Sequence, residues 1–111
     1  AWVKNNEAAV LGFIRAYRDA MEFLFDPRNR EICEALLIAF DPNTTPALAK
    51  TTYAIFTDPK GGLYRNLAID IEGIKTVLDL RAKYGVPKKT FNDPMKYVDL
   101  SYHQKVFGAS R

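Results

Sequence analysis

The sequence is poor in the residues that usually carry chemistry: one cysteine, Cys33, and one histidine, His103, in 111 residues. A lone cysteine excludes an internal disulfide and a thiolate metal cluster. His103 has no Cys, Asp or Glu at a ligand spacing within the short helix it falls on. It therefore reads as a surface histidine rather than a metal ligand or a general base. No apolar run approaches the roughly 18 residues that cross a bilayer, and the opening AWVKNN lacks the charged-then-apolar layout of a signal peptide. The chain starts on Ala1 rather than Met, from which we expect that something upstream has been removed. Lys and Arg outnumber Asp and Glu by 16 to 13 but are interspersed with them, so no basic face points to nucleic acid. No paired carboxylates, nucleophile–base pair or metal constellation appears, and no repeat or low-complexity stretch. No catalytic residue, metal site or cofactor is expected.

What is present is a globular composition, 48% hydrophobic and 13% aromatic, on a length that fits one domain with one modest core. The best-marked stretch is DPKGGLYRNLAIDIEGIKTVLDLRAKYG, from Asp58 to Gly85. Asp70 is placed to cap a helix that starts at Ile71, with Ile69 and Ile74 at the positions of a hydrophobic staple. Glu72, Lys75, Asp79 and Lys83 form a charged stripe at spacings of three and four. Ile71, Ile74, Val77, Leu78, Leu80 and Tyr84 form an apolar surface wide enough to need more than one packing neighbour. Gly85 is the expected left-handed cap, and Pro87 prevents continuation.

Upstream, Trp2 and Val3 read as the tail of an earlier element. Asn5 or Asn6 should cap a helix ending near Phe25, whose inner face is Val10, Phe13, Ile14, Tyr17, Met21, Leu24 and Phe25. Asp26-Pro27 is a break and a start together. In the next helix Ile32, Ala35, Leu36, Ala39 and Phe40 make the expected buried stripe, widened by Cys33 and Leu37. Without a neighbouring base, Cys33 reads as a small buried hydrophobe. Asp41-Pro42-Asn43-Thr44 is a turn. Thr45 should cap a third helix, built on Leu48, Thr52, Ile55 and Phe56 with Ala49 and Tyr53 alongside, to about Thr57. Downstream, Asp93-Pro94 nucleates a short turn and Asp99 caps a last helix from Leu100 towards Phe107. No segment alternates with period two for long enough to be a strand. The fold class expected is mainly α, with about five amphipathic helices in one segment spanning residues 1–111.

The loop from Asp58 to Ala68 contains Lys60-Gly61-Gly62, which lacks the spacing and the GK[ST] ending of a nucleotide-binding loop. Tyr64 and Arg65 are its candidate ligand-facing residues, because a stacking ring beside a guanidinium suits an anion. The alternative is a plain surface turn.

In order, NNEAAVLGFIRAYRDAMEFLFDPRNRE, DPKGGLYRNLAIDIEGIKTVLDLRAKYG and DPMKYVDLSYHQKVF resemble the closing third of the bacterial substrate-binding proteins of ABC transporters, of the sulfonate, nitrate, taurine and thiamine-precursor type. The resemblance runs from Trp2 to Phe107 and rests on the shared order of the DPxNRE break, the IDxEGIxTVLDLRAxYG helix and the YVDLSY ending. It implies a two-lobed α/β receptor in the periplasm or otherwise outside the cytoplasm, closing by hinge motion on a small anionic or heteroaromatic solute and delivering it to a membrane permease. It also implies that the sheets beneath these helices, and most of the ligand cleft, come from upstream residues. Enzyme activity is not implied, since the cysteine-rich motif of the related fungal pyrimidine synthases is absent. Helices shaped to cover a sheet would expose large apolar side chains when alone, each worth roughly 1.5 to 3 kcal/mol on burial. Alone, the chain is therefore expected either to form a compact helical bundle or to self-associate, for instance by exchanging elements. The alternatives from other classes are a stand-alone helical interaction module using a Phe, Tyr and Met stripe, and a small enzyme using His103.

Overall fold

The computed structural model describes Trp2–Gly108, and these residues are mainly helical, with no strand among them. They fall into two compact units, Ala1–Leu67 and Ala68–Arg111. In the first, α1 (Trp2–Asn5), α2 (Glu7–Phe25), a 3-10 turn (Pro27–Asn29), α3 (Arg30–Phe40) and α4 (Pro46–Phe56) follow one another. The second holds α5 (Ile71–Tyr84), a 3-10 turn (Pro94–Tyr97) and α6 (Ser101–Phe107). The five expected helices are α2 to α6, and Trp2 and Val3, expected as the tail of an earlier element, belong to the one-turn α1.

One local device sets most of the breaks. In Asp-Pro-x the proline fixes its own φ and has no N–H, so the first free donor is two residues beyond the aspartate. The carboxylate takes it each time. Asp26 accepts from Arg28 N at 3.0 Å, Asp41 from Asn43 N at 3.0 Å, Asp58 from Lys60 N at 2.7 Å and Asp93 from Met95 N at 2.9 Å. Elsewhere Thr45 Oγ1 accepts from Leu48 N at 3.2 Å and Asp70 from Glu72 N at 3.0 Å, the caps expected for α4 and α5. Asp99 likewise accepts from Ser101 N at 3.0 Å as α6 begins. Asn6 departs from this pattern. Its side chain makes no cap to α2 and instead donates back to Trp2 O at 2.8 Å, closing α1.

The core of the first unit is small: Met21, Cys33, Ala49 and Tyr53. Ala49 is 0% exposed because α3 and α4 meet there, and an alanine lets two helix backbones come close. That meeting turns both helices away from their expected faces. On α3 the inward side is Cys33, Glu34, Leu37 and Ile38, while Ile32, Leu36 and Phe40 face outward, Phe40 at 93% exposure. On α4 it is Ala49, Thr52, Tyr53 and Phe56, with Leu48 and Ile55 exposed. On α2, Phe13 and Tyr17 lie outside with their rings tilted against each other at 6.1 Å, and Leu11 and Arg18 take their place in the inner row.

In the second unit α5 packs on the Pro94–Tyr97 turn. Ile71, Ile74, Leu78 and Ala82 are half-buried, whereas Val77, Leu80 and Tyr84 are exposed. Gly85 is extended, at φ −74°, rather than left-handed. The Arg81 guanidinium lies over Gly85, with Val86 O at 3.4 Å and Pro87 O at 3.5 Å, and a Cβ on Gly85 would lie 2.4 Å from the backbone Arg81 O. The requirement for glycine is close approach, not handedness. The Val86–Pro87 peptide is cis. No helix among the described residues is long and apolar enough to cross a membrane.

Tyr53 is 7% exposed and donates from its hydroxyl to Leu24 O at 3.0 Å. Tyr53→Phe should lower stability by about 1 kcal/mol, the usual net worth of such a bond. Thr51→Ala, which removes an exposed hydroxyl bonded within its own helix, should stay within about 0.5 kcal/mol of the parent. Denaturant melts of the two variants check the difference.

Candidate functional site

The loop singled out in the sequence is built on a rigid frame. Asp58 Oδ1 accepts from Lys60 N at 2.7 Å and Gly61 N at 2.8 Å, Gly62 N donates to Asp58 O at 3.0 Å, and Leu63 N donates to Phe56 O at 2.8 Å. Those backbone donors stabilise the Asp58 carboxylate and lower its pKa. A Cβ on Gly62 would lie 2.5 Å from Asp58 O and Phe56 O, so the turn requires glycine there, whereas Gly61 faces open space.

Tyr64 and Arg65 follow this frame. Tyr64 is exposed. Arg65 places its guanidinium 4.5 Å over the Phe25 ring, and its Nη2 donates to Phe25 O at 3.4 Å. The loop is thereby tied to the end of α2, where a cation also meets the negative end of the helix dipole. A cavity of about 440 Å³ lies here, lined by Phe25, Thr57, Lys60, Tyr64 and Arg65 among others. A second of about 250 Å³ is lined by Met21, Glu22, Phe25, Asp26 and Arg65. Both candidate residues thus line one depression with Lys60 and Asp58, two cations, one carboxylate and two rings around its wall. The sequence reading missed Phe25, placed there as a core residue, because the pairing joins positions 40 apart and leaves no local signal.

At the same end of α2, Asp26 receives a forked contact from Arg28, with Nη2 at 2.6 Å and Nε at 3.0 Å from the carboxylate oxygens. The Arg28 side chain and its backbone N–H hold the Asp26 carboxyl down at about 2. Cys33 is buried, and desolvation pushes its thiol up, which suits a packing residue and not a nucleophile. His103 stacks on Phe107 at 4.5 Å. Among the described residues no group of three His, Cys, Asp or Glu side chains is placed to hold a metal ion.

Comparison of the chain with protein-family models, with curated proteins and with solved structures finds no match.

Two outcomes follow from this geometry. Gly62→Ala should destabilise the chain by about 1 to 3 kcal/mol through backbone crowding, while Gly61→Ala stays within about 0.5 kcal/mol, both read by thermal melts. Asp26 binds its proton less readily when folded, about 2 against an ordinary 3.8. Its contribution to stability is therefore complete above the unfolded value and is lost as pH falls from about 4 to about 2. Melts across that window should show Asp26→Asn with a shallower acid loss than the parent.

Proposed function

We propose that the chain is the C-terminal helical part of an extracytoplasmic solute receptor that hands a small anionic or heteroaromatic solute to an ABC transporter permease. The observation that carries this reading is the double-sided apolar character of α5. Ile71, Ile74 and Leu78 are used within the second unit, while Val77, Leu80 and Tyr84 remain exposed on the same helix. A helix with two apolar sides fits a layer between its own turn and a sheet supplied by other residues. The order of motifs from Trp2 to Phe107 supports the same assignment, as do the caps at Asp70, Asp93 and Asp99. In this reading the lobes, the hinge and most of the ligand cleft belong to residues beyond these. The chain contributes covering helices and no catalysis, and Tyr64 and Arg65 are the positions here best suited to an anion.

The stand-alone interaction module is the second reading, favoured by the exposed Ile32, Leu36 and Phe40 row on α3. The experiment that separates them begins with the complete reading frame. Its product should be exported and should bind a sulfonate, nitrate, taurine or a thiamine precursor in calorimetric titration, while residues 1–111 alone bind none of them. A reading frame holding little beyond these residues, or an exported product that binds no member of that panel, would overturn the receptor assignment.

A further inference from the structure

Between α2 and α3 lies an open depression of about 870 Å³ whose lining contains no charged residue. Met21, Leu24, Leu37 and Phe56 are among its walls, and Phe23 and Phe40 belong to it as well. Phe40 is almost fully exposed. A polar solute finds no partner on such a surface, and a nucleic acid finds no cation; what fits it is another apolar surface.

We propose that in a solution of residues 1–111 this face is covered by the same face of a second copy, the two α3 helices crossing antiparallel about a twofold axis at Leu36. The spacing is self-complementary. Ile32 and Phe40 lie four residues either side of Leu36, so the axis sets Ile32 of each copy against Phe40 of the other, the reciprocal arrangement a twofold interface demands. Ala35 and Ala39 lie on the same exposed side and allow the helices to approach closely. No charged residue occurs in the row, and Arg30 is already paired with Glu34 at 2.6 Å.

The area fits as well. Phe23, Ile32, Leu36, Phe40 and Leu63 together expose on the order of 500 Å² per copy, taking about 150–250 Å² for a whole large side chain. Complete cover of all five in both copies removes at most about 1,000 Å², the lower bound for a specific interface. The dimer is accordingly a weak one that dissociates on dilution. This inference does not rest on the receptor assignment: it concerns residues 1–111 alone, whereas the receptor assignment is tested by solute binding to the complete product.

Sedimentation of residues 1–111 over a wide concentration range should show a monomer–dimer equilibrium. Leu36→Glu should weaken it at least tenfold, and Val77→Glu, on the exposed side of α5, should leave it unchanged. In a Cys33→Ala background, Leu36→Cys should crosslink under mild oxidation and Arg15→Cys, exposed on the side of α2 opposite the depression, should not. A chain that stays monomeric at the highest concentration, a dimer indifferent to Leu36→Glu, or equal crosslinking at both positions would overturn the proposal. Since Leu36 is exposed, circular dichroism matching the parent shows whether each variant is folded.

Discussion

The end of α2 is where the first unit is tied together. A helix leaves its last carbonyls without partners in the helix, and burying them unpaired is costly. Here three successive carbonyls are each met by a side chain from a different segment: Phe23 O by Asn29 Nδ2 at 3.1 Å, Leu24 O by the Tyr53 hydroxyl at 3.0 Å and Phe25 O by Arg65 Nη2 at 3.4 Å. The following turn, α4 and the Asp58–Arg65 loop are thereby all held to one helix terminus. Each of these bonds is directional, and they join segments around a core of four buried apolar residues among those described.

This dependence on polar ties explains the arrangement of the apolar surface. Tyr53 must reach Leu24, and Ala49 must let α3 and α4 approach, so the two helices are turned to suit those contacts. The faces with the largest side chains are consequently left outside. Arg30, whose guanidinium lies 5.6 Å from the Tyr53 ring centroid while its Nε bonds Glu34, covers one edge of this cluster. The result is a frame of well-capped helices with more apolar surface than it can use internally. Both the receptor assignment and the proposed pairing of α3 begin from that excess.

The parts legible in the sequence were those decided by neighbours in the chain. Asp70, Thr45, Asp93 and Asp99 act on donors two or three residues away, so residue type and spacing were enough to place α4, α5, the Pro94 turn and α6. The rotation of α3 was not legible, because Ile32, Cys33, Ala35, Leu36, Leu37, Ile38, Ala39 and Phe40 make it apolar on most sides and periodicity selects no single face. The choice falls to Ala49, on another helix. Asn6 departs from its expected cap for a different reason: an asparagine between two helices can serve either end, and here it closes the short α1. Gly85 is legible as the stop of α5, but it is extended and closely approached by Arg81 O instead of left-handed. At the candidate site, Tyr64 and Arg65 were visible as types suited to a ligand; the stacking of Arg65 on Phe25 was not, since it is a tertiary contact.

These helices bury little of their apolar surface within the chain itself. The heat capacity change on unfolding reports that burial directly, because it grows with the apolar area exposed. Calorimetry of residues 1–111, dilute enough to keep copies apart, should give a value well below the ordinary ~12–15 cal/mol/K per residue. A full ordinary value under those conditions would mean that the chain packs a complete core of its own, and would contradict the account.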